Sequence, residues 1–363
     1  MIAHGGDVWQ VAGDLEIPVS DLLDFSANIN PRGLPLRARE RLARDASDSG
    51  LLSLYPDPSA SRLRSALGEK LEVPPESIVV GPGAESLLTP ILRCLQPRRA
   101  LVPVPAFSEY RRVCAQQQIE FVPFPLERSE FFATSVDRLS KSMGAEPHGV
   151  VLVNNPHNPS GALLERHQIN RVLEAAAFCG ATLLLDEAFI DYAPHASLVR
   201  EAALRPGLIV IRSLTKFYGC PALRVGYAVA PPETIQHIRS LLPAWPVTQL
   251  AIDALAEAVA DSEYTDASLR ENAAERERLA ASLSGLGFVV FPSAANYFLL
   301  ELRATMPAAS ELRARLIAKH RILIRNCDSY EGLAPGRYIR VAVRASGENC
   351  RLIQALAEEL KLT

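Results

Sequence analysis

Lys216 lies in a stretch whose residue types suit covalent chemistry on a phosphorylated aldehyde. It follows an apolar run, Leu208–Ile211, with Ser213 three residues before it and Arg224 eight residues after it. A lysine amine forms a Schiff base with a carbonyl compound when its surroundings lower its pKa or hold the aldehyde against it. A hydroxyl and a guanidinium near that amine suit a phosphate group. This stretch therefore predicts a pyridoxal 5′-phosphate (PLP) lysine, and the alternative is an ordinary surface lysine in a loop.

Other predicted strands end in groups that the same cofactor needs. Asp186 follows the apolar run 183–185, where a carboxylate requires a partner such as a protonated pyridine nitrogen. Asn158, in a turn, offers a donor to the 3′-oxygen of the ring, and Tyr110 offers an aromatic face. The turn 81–86 opens a helix, whose free N–H groups attract phosphate. Each signal alone also fits an ordinary turn or core residue, and their joint occurrence predicts PLP.

Short apolar runs alternate with helical segments from residue 78 to about residue 230. Strands are predicted at residues 78–80, 100–104, 150–153, 183–185, 208–211 and 224–228. This alternation predicts a mostly parallel α/β sheet with helices on both faces. Ligands of such sheets bind beyond the carboxyl ends of the strands, which is where the groups described above occur.

The pattern changes after about residue 230. Helices are predicted at 249–260 and 264–283, strands at 288–291, 297–300, 322–324 and 339–343, and a closing helix with Leu352, Ile353, Leu356 and Leu360 on one face. We therefore predict a smaller α+β domain after the large one. The predicted division is an N-terminal segment, 1–35, that packs on the small domain, a large PLP-binding domain, 36–260, and a C-terminal small domain, 261–363.

Length and composition are those of a globular protein. A chain of 363 residues exceeds the roughly 250–300 residues that one core supports, which favours two domains. The net charge of −3 gives no reason to expect nucleic acid or an anionic membrane as a partner. No apolar run approaches the ~20 residues of a membrane helix, and there is no signal-peptide pattern. Six scattered cysteines lack metal-ligand spacing, so we expect a cytoplasmic protein without a metal or disulfides.

Several motifs resemble those of one family of PLP enzymes. They are His-Gly-Gly at 4–6, Asp-Phe-Ser-Ala-Asn-Ile-Asn-Pro at 24–31, Tyr-Pro-Asp at 55–57, and the segments 186–191, 212–218 and 338–344. With them the chain resembles the fold-type-I PLP enzymes of the aspartate aminotransferase superfamily, close to histidinol-phosphate aminotransferases. The N-terminal motifs and Phe189 point, within that group, to the threonine-phosphate decarboxylases of cobalamin biosynthesis.

This resemblance implies a role for each cofactor-binding residue. Lys216 would be the Schiff-base lysine, Asp186 would pair with the pyridinium nitrogen, Asn158 would bind the 3′-oxygen, and Tyr110 would stack on the ring. The groups implied to hold the cofactor phosphate are Ala84 and Glu85 (through their backbone), Ser213, Arg224 and, from a neighbouring subunit, Tyr55. The last contact implies a homodimer.

The resemblance also implies a substrate, a phosphorylated amino acid. Arg340 would bind its carboxylate beside Asn158, and His4, Asn28 and Arg325 would bind its phosphate. The implied reaction is the PLP-dependent decarboxylation of L-threonine O-3-phosphate to (R)-1-aminopropan-2-yl phosphate and carbon dioxide. Two alternatives stay open: a histidinol-phosphate (or related) aminotransferase, and a non-catalytic PLP-binding regulator.

The chain departs from the family pattern at a few positions. Phe189 replaces a tyrosine that histidinol-phosphate aminotransferases usually have, so a second bond to the 3′-oxygen cannot form. The segment 244–248 differs from the expected Trp-Ser-x-Asn, which leaves the contacts near Thr248 open. His157 and Ser160 replace the common Asn and Thr, while Asn158 is kept.

Overall fold

The structure, a computed structural model, describes residues 5–145 and 149–361. Its α-helices are α1 Val8–Asp14, α2 Leu36–Ala46, α3 Ser49–Leu52, α4 Ser61–Leu71, α5 Ala84–Leu95, α6 Ser108–Gln116, α7 Val136–Ala145, α8 Arg166–Phe178, α9 Val199–Ala202, α10 Leu214–Phe217, α11 Pro232–Ser240, α12 Gln249–Ala260, α13 Ser262–Gly285, α14 Ala309–His320 and α15 Ser346–Lys361. Its strands are β1 Leu23–Asp24, β2 Ile78–Gly81, β3 Arg99–Val104, β4 Glu120–Pro125, β5 Val150–Asn154, β6 Thr182–Asp186, β7 Leu208–Ser213, β8 Gly226–Val229, β9 Val289–Val290, β10 Tyr297–Glu301, β11 Ile322–Leu323, β12 Arg325–Asn326 and β13 Tyr338–Ala342.

A seven-stranded sheet with the order β2-β8-β7-β6-β5-β3-β4 forms the larger part of the molecule. Strands β4, β3, β5, β6 and β7 run parallel, and β8 is antiparallel to both of its neighbours. The predicted mostly parallel sheet is therefore confirmed. The carboxyl ends of β5, β6 and β7 lie at one edge, which brings the segments that follow them together.

Helices cover both faces of this sheet, which explains the uninterrupted apolar runs. Successive strand residues point to opposite faces. Leu184 therefore belongs to the core that includes residues of α5, α6 and α11, whereas Leu183 and Leu185 belong to the core that includes residues of α4, α8 and α12. All three leucines are fully buried. A strand buried on both faces has no polar alternation, and this is the pattern of a parallel α/β sheet.

A second, smaller core surrounds a four-stranded antiparallel sheet with the order β12-β13-β10-β9. Helices α13, α14 and α15 pack on it, and Leu352 and Leu356 of α15 are fully buried there. Leu23 and Phe25 from the N-terminal part join the same core, and β1 pairs with β11. The smaller α+β unit is thus confirmed, while the proposed boundaries of the three segments remain a prediction.

The strand predicted at 322–324 is observed as β11, and the chain changes sheet directly after it, which the sequence did not indicate. Leu323 pairs with Asp24 in a two-stranded sheet, and Arg325, two residues later, pairs with Arg340 in the four-stranded sheet. A second difference concerns the strand predicted at 224–228. It begins at Gly226, because Arg224 has a positive φ of 53° and ends a short 3-10 turn.

A buried ion pair fixes the ends of β6 and β7. The guanidinium of Arg212 donates to the carboxylate of Glu187 at 2.9 Å. The same carboxylate accepts hydrogen bonds from the Ser197 hydroxyl at 2.7 Å and the Leu198 N–H at 2.9 Å. A buried charge pair is tolerated when its remaining hydrogen-bonding positions are satisfied. The network therefore holds the segment after Asp186 rigidly against β7.

Within the described residues, no helix combines the length and apolarity needed to span a membrane. The same residues contain no group of three or more potential metal ligands.

Candidate active site

Most of the predicted site residues line one cavity of about 630 Å³ between the large sheet and the smaller one. They are Asn28, Ala84, Glu85, Tyr110, Asn158, Asp186, Ser213, Lys216, Arg224, Arg325 and Arg340. Gly5 also lines the cavity, whereas His4 lies outside the described residues. Tyr55 is on the surface and is 77% exposed. The large sheet, α5, α6, the N-terminal segment and the small sheet thus all contribute to one site.

Lys216 occupies the short helix α10, directly after β7. Burial lowers the pKa of Lys216 to about 8, and the positive charges of Arg340 and Arg224 act in the same direction. The carboxylate of Asp186 opposes this shift. At pH 7 a pKa of about 8 leaves roughly a tenth of the amine neutral, compared with roughly one part in three thousand at 10.5. The surroundings therefore make Lys216 a nucleophile near neutral pH.

Asp186 is the last residue of β6 and lines the cavity. One carboxylate oxygen accepts a hydrogen bond from the hydroxyl of Tyr110 at 2.6 Å, and the other accepts from the N–H of Ala188 at 2.9 Å. Burial raises the pKa of Asp186, and these hydrogen bonds oppose the shift. A buried carboxyl with a raised pKa is stabilised in its charged form by a cationic partner, such as a protonated ring nitrogen. Tyr110 thus fixes Asp186 directly, a contact that the sequence did not reveal.

The amino end of α5 forms a cradle whose size depends on glycine. Gly83 precedes the helix with a φ of 99°, and a Cβ there would lie 3.1 Å from the Nη2 atom of Arg224. A Cβ on Gly226 would lie 2.3 Å from the backbone nitrogen of Ala84, so this approach is possible only for glycine. The free N–H groups of Ala84 and Glu85 and the nearby guanidinium together suit a phosphate dianion.

Arg325 and Arg340 are directly opposite each other on β12 and β13. Each is only 6% exposed, and the Nε atom of each is buried without a hydrogen-bond partner among the described residues. The Oδ1 atom of Asn28, which is 3% exposed, is likewise buried and unpartnered. Two like charges opposite each other on a sheet are destabilising unless anions compensate them. This arrangement suits a ligand with two anionic groups.

A hydrogen-bond network joins the two sheets at the cavity wall. The Nη1 atom of Arg340 donates to the Oδ1 atom of Asn158 and, at 3.0 Å, to the hydroxyl oxygen of Tyr330. The Tyr330 hydroxyl donates to the same Oδ1 atom at 3.1 Å. Tyr330 was missed at the sequence level, because it lies in an irregular loop and belongs to no recognised motif.

The positions that depart from the family pattern have structural explanations. Phe189 is buried with its ring edge-on to Tyr297 at 5.0 Å, and the Tyr297 hydroxyl donates to the His157 carbonyl at 2.9 Å. Burial lowers the pKa of His157 to about 4, so the ring is neutral and links the Pro105 carbonyl at 2.8 Å to the Ser160 hydroxyl at 2.7 Å. These contacts fix the loop that carries Asn158.

The segment 244–248 lies outside the cavity lining. The Thr248 hydroxyl caps α12 by accepting from the Ala251 N–H at 3.3 Å. The ring of Trp245 stacks on that of Tyr55 at 4.3 Å with an interplanar angle of 19°. Within one subunit, Thr248 therefore has a helix-capping role, and Trp245 orients the exposed Tyr55.

Comparisons with known proteins agree with this geometry. Threonine-phosphate decarboxylase of Salmonella typhimurium is 35% identical over 363 residues, which cover 99% of this chain and 96% of that protein. Among solved structures, L-threonine-O-3-phosphate decarboxylase from Porphyromonas gingivalis has a TM-score of 0.80 at 25% identity, over 94% of this chain and all of the other (100%).

Histidinol-phosphate aminotransferase from Clostridium acetobutylicum has a TM-score of 0.85 at 28% identity, with the same coverage of 94% and 100%. The predicted resemblance to both groups is thus confirmed. The family model for aminotransferase class I and II matches residues 20–358, a range that includes all eleven predicted site residues that line the cavity. The chain therefore belongs to the aminotransferase class I and II family.

Proposed function

We propose that this protein is a PLP-dependent decarboxylase of L-threonine O-3-phosphate, which releases carbon dioxide and (R)-1-aminopropan-2-yl phosphate for cobalamin biosynthesis. The observation that carries the proposal is the opposed pair Arg325 and Arg340, two buried guanidinium groups on the cavity wall. A substrate with both a carboxylate and a phosphate supplies one anion for each. Identity of 35% to a threonine-phosphate decarboxylase along the whole chain supports the same substrate.

The residues of the cavity fit PLP. The cradle of Ala84, Glu85, Ser213 and Arg224 would hold its phosphate, and the glycines beside it leave the space that a phosphate needs. Asp186 would pair with the pyridinium nitrogen, Asn158 would donate to the 3′-oxygen, and Tyr110 would lie against the ring. When bound, PLP supplies an electron sink for the pair of electrons released as a bond to the substrate Cα breaks.

Lys216 would attach the cofactor and then move protons. Its lowered pKa means that Nζ is able both to accept and to donate a proton near neutral pH. Decarboxylation replaces the carboxylate on Cα by a proton, so a donor must reach that carbon after carbon dioxide leaves. Lys216 is the cavity group that we assign to this role.

The substrate anions would be held by residues from the small sheet and the N-terminal segment. Arg340 would bind the carboxylate. Arg325 would bind the phosphate with its Nε donor, which is unpartnered in the structure, and Asn28 would donate to the same phosphate from the Nδ2 atom of its amide. His4, which lies outside the described residues, would add to the phosphate site, as the family resemblance implies. The contact with Arg340 would position the carboxylate. It does not by itself accelerate decarboxylation, because acceleration requires tighter binding in the transition state than in the ground state.

We further propose that the enzyme is a cytoplasmic homodimer. Tyr55 and Trp245 form an aromatic pair that is 77% and 49% exposed in the single chain, and a second subunit would cover it. In that dimer Tyr55 would reach the cofactor phosphate of the partner. All six cysteines are free thiols, which is compatible with a reducing compartment.

Product analysis tests the proposed reaction. Purified enzyme supplied with PLP and L-threonine O-3-phosphate should yield 1-aminopropan-2-yl phosphate, detected by mass spectrometry. The second candidate is a histidinol-phosphate aminotransferase, which the solved structure with a TM-score of 0.85 favours. Two results together would establish that alternative: histidinol phosphate and 2-oxoglutarate give glutamate, and L-threonine O-3-phosphate gives no 1-aminopropan-2-yl phosphate.

A further inference from the structure

Tyr330 contacts three of the residues assigned to the cofactor and the substrate. It lies in the loop between β12 and β13, is 7% exposed, and lines the main cavity. Its hydroxyl bonds to Asn158 and Arg340, and the guanidinium of Arg325 lies 5.6 Å from the centre of its ring. No role follows for it from the sequence motifs.

The hydrogen-bonding chemistry of this group determines which way the Asn158 amide points. A guanidinium only donates, so the Asn158 atom that faces Arg340 must be the acceptor, Oδ1. The Tyr330 oxygen accepts from Arg340, so its own proton is free to be donated to the same Oδ1 atom. The Nδ2 donor of Asn158 is thereby turned away from this pair and has no hydrogen bond to any described residue.

The backbone of Asn158 is already fixed, because its N–H donates to the Oδ1 atom of Asn154 at 2.6 Å. Rotation of the side-chain amide is therefore the freedom that Tyr330 and Arg340 remove. That rotation matters in this chain, because Phe189 has no hydroxyl with which to bond the 3′-oxygen of the ring.

We propose that Tyr330 is a positioning residue, which holds the Asn158 amide with Nδ2 directed at the 3′-oxygen of PLP. This rests on the proposed PLP function. The phenol acts through Asn158 and touches no reacting atom itself. Its ring also offers a face to the guanidinium of Arg325, which steadies one of the two opposed charges.

The proposal predicts a spectroscopic effect. A hydrogen bond to an ionised oxygen favours the ionised form and lowers the pH at which the bound cofactor changes its visible absorbance. Complete loss of such a bond should raise that midpoint by about 1–2 pH units. Tyr330→Phe leaves the contact of Arg340 with Asn158, so we expect a partial rise of about 0.5 pH unit or more. The titratable and charged groups that line the cavity with Tyr330 are unchanged in these variants; they are Glu85, Glu109, Tyr110, Arg112, Asp186, Lys216, Arg224, Arg325 and Arg340.

The experiment titrates the visible absorbance of the PLP-loaded enzyme for four proteins and a control. They are the parent, Tyr330→Phe, Asn158→Ala, the double variant and the control Tyr338→Phe. Tyr338 lies on β13 outside the cavity lining, so its variant loses a phenol oxygen without touching Asn158. We expect Tyr330→Phe and Asn158→Ala to raise the midpoint, the double variant to match Asn158→Ala alone, and the control to match the parent.

Two results would overturn the inference while leaving the proposed function intact. One is a midpoint in Tyr330→Phe equal to that of the parent, and the other is full additivity in the double variant. If Tyr330→Phe does not fold, Tyr330→Leu should raise the midpoint in the same way. An unchanged midpoint in Tyr330→Leu would also overturn the inference. A parent protein that acquires no visible absorbance with PLP would instead refute the proposed function, and this inference with it.

Discussion

Replacing Arg325 by glutamine should weaken the proposed contact with the substrate phosphate and leave the other parts of the site intact. The side chain is 6% exposed and directly opposite Arg340, and its Nε atom has no partner. Its Nη2 atom donates to the Ser329 hydroxyl at 2.8 Å, so the remaining donors are available to a ligand. Glutamine is shorter and neutral, and its amide nitrogen can still donate a hydrogen bond to the phosphate.

The size of the effect follows from the donors that are lost. Two charge-assisted hydrogen bonds to a phosphate contribute about 1.5–3 kcal/mol each, and a neutral amide restores about 1 kcal/mol. The net loss is about 2–5 kcal/mol, or about 30-fold to a few thousand-fold in kcat/KM for L-threonine O-3-phosphate. Plain L-threonine has no phosphate, so its much slower reaction should change little, and the preference for the phosphorylated substrate should fall by the same factor.

The assay compares kcat/KM for both substrates in the parent enzyme and in Arg325→Gln. The matched control is Arg315→Gln, which makes the same chemical change on α14, where Arg315 pairs with Glu311 at 2.6 Å outside the cavity lining. Thermal unfolding of the unliganded proteins is measured in parallel. The midpoint for Arg325→Gln should equal or exceed that of the parent, because the substitution removes one of two like charges on neighbouring strands.

An unchanged preference for the phosphorylated substrate in Arg325→Gln would refute the assignment of Arg325. An equal fall in kcat/KM for both substrates would also count against this assignment, since it would indicate general damage to the site. A comparable loss in Arg315→Gln would show that the effect is not local to the cavity.

The remaining predictions concern Lys216 and Tyr55. Lys216→Ala should abolish turnover and the visible absorbance that depends on lysine attachment; full activity without an added amine would contradict the PLP proposal. With its pKa lowered to about 8, Lys216 is deprotonated above that pH, so cofactor attachment to the unliganded protein should accelerate about tenfold per pH unit below pH 8 and level off above it. A rate that keeps rising toward pH 10 would contradict the lowered pKa. Tyr55→Phe should weaken PLP retention about tenfold or more, and a fully active monomer in sedimentation would exclude the contact between subunits.

The large sheet could be predicted from the sequence because its strands are short apolar runs that can be recognised locally. Runs such as 183–185 are buried on both faces, and helical segments separate them. Strand β4 was missed, because Pro123 and Pro125 interrupt its pattern. It lies at the edge of the sheet, where prolines are tolerated because fewer backbone N–H groups are needed for pairing. The change of partner between Leu323 and Arg325 depends on distant strands and leaves no local signal.

Some residues of the candidate site were likewise predictable from local sequence, whereas their contacts were not. Groups at strand ends, such as Asp186 and Lys216, were predictable because parallel topology brings those ends together. The hydrogen bond from Tyr110 to Asp186 joins residues 76 positions apart, and Tyr330 reaches Asn158 across 172 positions from an irregular loop. Such contacts depend on tertiary packing, so residue type alone indicates neither the partner nor the direction of the bond.

Counting the carbon dioxide released per active site tests the proposed decarboxylation most directly. Purified, PLP-loaded enzyme is given excess L-threonine O-3-phosphate with no keto-acid present. A decarboxylase regenerates its cofactor in every cycle, so we expect many equivalents of carbon dioxide per site. The absence of carbon dioxide would contradict the proposal. A single turnover of amino transfer from histidinol phosphate, resumed only when 2-oxoglutarate is added, would then identify an aminotransferase.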